Sequence, residues 1–498
     1  MNFRFLLVGL FFITLTACGV EEANIEADVL RRSLSAQPES LDPLHARSVA
    51  SLVVLGDLYE GLMTRDASGR LVNGLAVSVE RTNNDRGYLF TLRSGLAWSD
   101  GSPLTAADFV RSWQLLAAPE TAAFYADLLA PVARRDDGQL DIEAPSPQTF
   151  LVNLVAPQVD FSERLSHPAL APRAAKTSLT NGAYQLDADG RGYALTLRKN
   201  AHFYDAPSVS IATITYEWFE QEQTEYDAYR SGALDITSRV PRAVFRQTPR
   251  PDSLRTSPYL GVVYLSFNMR RPPTLTMRRQ LAATVDRNAL AQSIVGRGEQ
   301  PAFGLIPPGA LNAGQPYAAF QSNLEVTDPS PFADDLTLKI NYSTSDENRV
   351  VATTLQQMWE VAIPGLRVIP ENKEFRVLLA ESRQGSFDGL VRGSWIADFN
   401  DATQFLNILA TDAPSNTSGF SDARFDTLLA AIATTTDIER RASLIRAAEQ
   451  LVAEQVPVIP LYFFVSKHFV HPRIGGWQDN PLDVHLSRYL SIKSLAVD

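Results

Sequence analysis

Two hydrophobic rhythms interleave along this chain. Val29-Leu30-Arg31-Arg32-Ser33-Leu34, Gly87 to Arg93, Leu336 to Tyr342 and Val458 to Val465 are short alternating or apolar runs and predict strands, whose successive side chains point to opposite faces. Phe109, Val110, Trp113, Leu115 and Leu116 instead recur at helical spacing. The same spacing predicts helices over Asp286 to Val295, Asn348 to Val361, Phe425 to Thr434 and Ile438 to Gln455. Punctuation between them is local. Thr105-Ala106-Ala107-Asp108 is built like a capping box, its hydroxyl and carboxylate set to satisfy first-turn amides, and Ser99-Asp100-Gly101 reads as a turn. Tyr229 to Ile236 reads as a helix ending at Gly232 before a strand. Strand and helix alternate throughout with no fixed repeat period, so the chain reads as mixed α/β rather than as a solenoid or propeller.

The amino terminus follows a different pattern. Arg4 precedes an apolar run from Phe5 to Ile13, and Leu15-Thr16-Ala17-Cys18 follows, the order of a secretory signal ending in small residues (1–17). The run is too short to span a bilayer. Leu15-Thr16-Ala17-Cys18 resembles a bacterial lipobox, which predicts a lipidated Cys18 and a polar tether to residue 28, hence an exported, membrane-anchored protein of the periplasm or cell envelope. Cys18 is the only cysteine, so no disulfide staples a chain of 498 residues, which is long enough to bury its own cores. A net charge of -11 argues against a nucleic-acid partner.

Catalytic signatures are missing from the sequence. His45, His167, His202, His468, His471 and His485 are scattered, with His468 and His471 on opposite faces of an extended segment, and no His-Glu-x-x-His or cysteine pair offers a metal cage. There is no phosphate loop and no Gly-x-Ser-x-Gly elbow; Gly296-Arg297-Gly298 lacks the third glycine of a dinucleotide fingerprint. The expectation is no cofactor, no metal and no enzyme, although a triad assembled from distant residues is recognised only by geometry.

Five passages carry a resemblance. They are Gln37-Pro38-Glu39-Ser40-Leu41-Asp42-Pro43 with Asp57-Leu58-Tyr59-Glu60-Gly61-Leu62; Leu96 to Phe109 around Trp98-Ser99-Asp100-Gly101; Asn181-Gly182-Ala183-Tyr184; Tyr229 to Ile236; and Gly393-Ser394-Trp395-Ile396-Ala397-Asp398-Phe399-Asn400-Asp401. Their order and spacing, from about residue 29 to the end, resemble the periplasmic oligopeptide-binding proteins, the extracellular solute-binding family that serves ABC importers. The resemblance implies a two-lobed binding-protein fold with an inserted domain. It places residues 29–58, 180–269 and 472–498 in the first lobe, 59–179 in the insertion and 270–471 in the second lobe. It also implies a monomer that closes around an extended peptide and is met by the importer's membrane subunits.

Read by itself, Asp398 is one carboxylate inside an apolar stretch, next to Asp401, which could cap a following helix. The resemblance implies that Asp398, with Trp395 and Ile396 beside it, receives a peptide α-ammonium group, a charge-assisted bond. It matches Tyr125 to a tyrosine on the opposite lobe, and Arg383 and Arg392 to basic residues that take the peptide carboxylate at different lengths. Phe399 and Ala402 depart from the usual tyrosine and proline, and Asn348 stands where some members carry a carboxylate-pairing histidine. Relatives on this scaffold take nickel complexes, haem, opines or cell-wall peptides, so those ligands stay open beside nutrient peptides, and an exported peptide hydrolase is the rival of a different class.

Overall fold

The computed structural model describes residues 28–493, apart from 177, 188–193, 248, 312, 314–319 and 321–335. The leader, Cys18 and the tether lie outside the described residues. No helix among the described residues is long and apolar enough to cross a membrane.

Three apolar cores organise the fold, each behind its own sheet. In the first, strand Val29–Leu34 runs parallel to Thr213–Trp218, which continues antiparallel through Ala194–Lys199 to Tyr184–Leu186. A parallel pair requires a crossover, and here the crossover is long enough to hold a second domain. Leu30, Leu34, Val54, Leu55, Tyr184, Ile214 and Tyr216 fill this core, and Ile474 and Leu490 of the returning C-terminal segment join it. That return is pinned by Arg473, which donates to both Asp235 carboxylate oxygens at 2.6 and 2.7 Å.

The second core lies behind the antiparallel sheet Ala76–Thr82, Gly87–Leu92, Thr149–Asn153, Ile142–Ser146. Helix Ala106–Ala117 starts at the Thr105/Asp108 capping box. It presses Phe109 and Trp113 onto Phe150, the indole edge-on at 5.0 Å. Buried Trp113 keeps its polar atom satisfied by donating from Nε1 to the Leu170 carbonyl at 3.0 Å.

The third core belongs to a mixed sheet ordered Gln300–Pro301, Val458–Phe469, Leu254–Phe267, Leu390–Ile396, Leu336–Ser343, Leu366–Lys373. Helices Asp346–Ala362 and Ile438–Gln455 cover it, with Trp359 fully buried. Leu260 to Phe267 put their side chains in this core. The third core thus takes in this strand from Leu260 onward, and the register shift between Pro258 and Val262 falls where it enters. Ahead of that shift Arg255, Thr256 and Ser257 are polar and Pro258 follows them, and the buried apolar run begins at Leu260. Leu254–Phe267 and Val458–Phe469 thus pass side by side out of the third core, and Val470 already belongs to the first.

Asp401 satisfies the first amide of the following helix from one residue ahead of the N-cap position. The short helix Thr403–Leu406 has Ala402 at its N-cap position; Asp401 accepts from the Thr403 amide at 2.9 Å and holds a fully buried ion pair with Arg441 at 3.0 Å.

Candidate ligand-binding cleft

Strand Leu390–Ile396 is paired along its whole length with 261–267 on one edge. On the other edge it meets Leu336–Ser343 only at Leu390 and Val391. From Arg392 to Ile396 this second edge has no strand partner among the described residues. Gly393 lets the strand lie on the Tyr264 ring, because a Cβ there would sit 2.9 Å from its Cε2. The strand ends where the Ala397 amide donates to the Leu260 carbonyl at 2.9 Å. The next amide, that of Asp398, is fixed by Gln404 Oε1 at 3.1 Å.

The open edge leads directly to the Asp398 carboxyl, which meets the Tyr125 hydroxyl of the second domain. Tyr125 is buried, and its ring lies 4.2 Å from that of buried His167. The next residue after Asp398 bridges more firmly. Phe399 is 1% exposed and packs within the second core, while Ala397 and Ala402 around it belong to the third. Arg164 covers the Phe399 ring at 5.1 Å and is ion-paired with Asp160 at 2.7 Å.

The electrostatics are those of a carboxylate short of positive charge. Burial pushes Asp398 up to about 7 and the charge of Asp127 adds to the rise, while the Tyr125 hydrogen bond and Arg164 oppose it. Burial, then the carboxylates of Asp398, Asp127 and Glu39, hold the Tyr125 hydroxyl far above its usual range, so it remains a donor. Burial keeps His167 neutral, its pKa pushed down to about 3; Nδ1 accepts from the Ala169 amide at 3.2 Å and Nε2 has no partner. A cation delivered to Asp398 would restore its ordinary ionised state.

The remaining residues singled out from sequence divide between strand Leu390–Ile396 and the helices beside it. Trp395 and Ile396 are half-buried on the open-edged strand, and the Trp395 Nε1 donor is buried without a partner. Arg383, exposed at the end of helix Phe375–Gln384, lines an open cavity of about 650 Å³ with Phe124, Arg270, Asp412 and Asn416. Arg392 is already engaged, donating to the Tyr462 hydroxyl at 3.2 Å and lying 3.7 Å from Glu347. Asn348 is turned inward, its amide nitrogen donating to the Ser343 carbonyl at 2.9 Å and hydroxyl at 3.0 Å. Asp127, Arg164, Gln404 and Glu347 complete the site and were not anticipated. Their nearest sequence signal is the polar spacing of ordinary surface helices and loops.

Comparison with known proteins agrees with this geometry. The profile of the bacterial extracellular solute-binding proteins, family 5 (middle), matches residues 70–417. The chain is 30% identical to the periplasmic oligopeptide-binding protein OppA of Salmonella typhimurium, covering 95% of this chain and 96% of that protein. The structure of the Escherichia coli murein tripeptide-binding protein MppA superposes with a TM-score of 0.84 at 28% identity, over 94% of this chain and 99% of that one. Haemophilus influenzae OppA in complex with the peptide RPPGFSPFR gives a TM-score of 0.81 at 26% identity, over 94% and 99%. With two lobes, an open strand edge between them and this breadth of likeness, the chain belongs to the bacterial extracellular solute-binding proteins, family 5.

Proposed function

We propose that this protein is an exported receptor that captures short peptides in extended form and presents them to the membrane subunits of an ABC importer. The observation that carries the reading is the unpaired edge from Arg392 to Ile396 running into the half-buried carboxyl of Asp398. A peptide laid on that edge satisfies main-chain donors and acceptors regardless of its side chains, the β-augmentation mode. Its free α-ammonium supplies the positive charge that Asp398 lacks, with Tyr125 donating from the opposite lobe. Trp395 and Ile396 flank the first peptide residues. Arg383 faces the open cavity and is the better placed anchor for the peptide carboxylate, whereas one end of the Arg392 guanidinium is held by Tyr462 and Glu347 and the Asn348 amide by Ser343.

The receptor works as a monomer tethered through lipid on Cys18 and releases its ligand uncut. Hinge motion about the two paired crossing strands opens and closes the cleft. Similarity to both OppA and MppA supports nutrient peptides and murein peptides as the two ligand classes to compare.

Native mass spectrometry of freshly purified protein tests the reading, the expected result being retained peptides with free amino ends. Thermal scans then compare di- to pentapeptides with a murein tripeptide; a ligand at 100 times its Kd stabilises by about 2.7 kcal/mol. No shift with any peptide overturns peptide capture, and peptide fragments appearing on incubation overturn a receptor that does not cut.

A further inference from the structure

Away from the open strand edge, three side chains that no motif links are brought to one point. His468 comes from strand Val458–Phe469, while Asp483 and His485 come from the C-terminal return. Their ligand-capable atoms all lie within 4.8 Å of one another. His468 Nδ1 is 2.6 Å from the Thr237 carbonyl, which can only accept, so that nitrogen carries the hydrogen and Nε2 is the atom offered to Asp483, at 2.9 and 3.1 Å from its two oxygens. An imidazole tethered through one N–H to a carbonyl, with its other nitrogen pointed at a shared centre, is the orientation that metal-binding histidines adopt. His485 Nε2 lies 3.0 Å from Asp483 Oδ1, and its ring is held flat against Trp477, centroids 3.6 Å apart at 20°.

The loop is shaped to deliver the carboxylate. Asp483 has a left-handed backbone, φ 54°, a conformation that aspartate tolerates better than most non-glycine residues. Asn480 Oδ1 supports it by accepting from the amides of Leu482 and Val484 at 3.2 and 3.1 Å. Ser466 donates to Asp483 Oδ1 at 2.6 Å, orienting the group further. The side chains of His468, Asp483 and His485 are 12%, 20% and 4% exposed, sheltered yet reachable by a small ion through Asp483.

The spacing suits a tetrahedral ion. Bonds of 2.0 to 2.2 Å to imidazole nitrogen and carboxylate oxygen put neighbouring ligand atoms about 3.3 Å apart. The two His–Asp separations, 2.9 and 3.0 Å, need to open by only a few tenths of an ångström. Without an ion, a proton must stand between His468 Nε2 and Asp483, and a divalent cation takes its place. We propose that His468, Asp483 and His485 form a binding site for one divalent transition ion of the zinc type, with water completing the shell.

Such an ion would tie the C-terminal return to one of the two strands that cross between lobes. Arg32 continues the tie into the first sheet, donating to the His485 carbonyl at 2.8 Å and to Ser487 Oγ at 2.7 Å. The site requires no peptide and stands or falls independently of the cleft.

The test is titration of untagged, chelator-treated full-length protein with Co²⁺, followed by visible d–d absorption, and with Zn²⁺ by calorimetry. The expected result is one ion per chain, an absorption band distinct from the aquo ion, and a rise in Tm with Zn²⁺. His485→Gln and Asp483→Asn each weaken binding by at least the roughly 100-fold that even an outer-shell partner can be worth, while Cys18→Ser leaves it unchanged. Where Asp483→Asn fails to fold by circular dichroism, His485→Gln decides. Wild-type protein that leaves the aquo-ion spectrum unchanged, or binding equal in wild type and variant, shows that the cluster is a structural ion pair only and overturns the proposal.

Discussion

Replacing Asp398 by Asn removes one charge and keeps the shape, so it isolates the ammonium contact from the rest of the cleft. Removing one partner of a buried, hydrogen-bonded charge pair costs about 2–5 kcal/mol, which corresponds to a loss of roughly 30-fold to several thousand-fold in affinity. Asn still accepts from Tyr125, so the lower half of that range is expected. An N-acetylated peptide has no ammonium to lose and should bind wild type and Asp398→Asn within a few-fold of each other. The pH profile sharpens the test. Asp398 holds its proton up to about 7 in the empty cleft, and the bound form needs it ionised. Affinity for a free-amino peptide should therefore fall by about tenfold per pH unit below 7, and fall again above about 8 as the peptide amine deprotonates. The acid limb should vanish in Asp398→Asn. Calorimetric titration from pH 5 to 9 with one tripeptide and its acetylated twin reads all of this. Equal losses for both peptides, or a flat wild-type profile between pH 5 and 7, would refute the ammonium role.

The same raised pKa makes a stability prediction. Between the ordinary carboxylate range and about 7 the folded protein holds a proton that the unfolded chain has released, so ligand-free stability falls as pH rises through that window. Asp398→Asn should raise the ligand-free Tm at pH 8 and leave it unchanged at pH 3; a gain that is the same at both values contradicts the assignment. Phe399→Ala empties a side chain buried in the core of the opposite domain, so the ligand-free protein should shift toward the open form, seen as a larger radius of gyration in solution scattering and weaker peptide binding. Unchanged scattering would show that Phe399 does not latch the lobes. Arg441→Met leaves Asp401 charged and buried, which costs about 3–5 kcal/mol when one partner of such a pair is removed; a urea unfolding shift worth under about 1 kcal/mol would show that the pair is not buried in solution.

What could be read from sequence follows how local its cause is. Helix Ile438–Gln455 has the bounds its periodicity suggests, because the cause lies within it: a helical stripe, and Asp437 accepting from the Arg440 amide at 2.7 Å at its start. Strand Val29–Leu34 is equally plain. Asp286 to Val295 reads as an α-helix, yet Ala289–Val295 is wound as a π-helix, a choice of hydrogen-bond partner that apolar spacing does not encode. The candidate site was harder. Asp398 stood out from its neighbours only through the family motif, and nothing near it announced Tyr125, Asp127 or Arg164, which come from more than 200 residues away. Phe399 looked like a departure from a tyrosine, and the packing shows an apolar plug in the other domain's core. Arg392 and Asn348 were singled out by their match to family positions, and that match does not reveal that Tyr462 and Glu347 hold one end of the guanidinium and Ser343 the Asn348 amide.

The bare edge from Arg392 to Ile396 also decides what is kept out. A row of unpaired amides and carbonyls on an outer strand invites pairing with any passing sheet, and proteins ordinarily blunt such edges with charge, bulges or cover. Here the opposing domain comes down just past the end of the edge, where Tyr125 meets Asp398 and Phe399 enters that domain's core. A folded protein would have to bring a strand into a slot narrowed at that end. Only a chain with no structure of its own, thin enough to enter between the domains before they meet, reaches the hydrogen bonds. The cleft thus favours unfolded polymer before any charge or side chain is read.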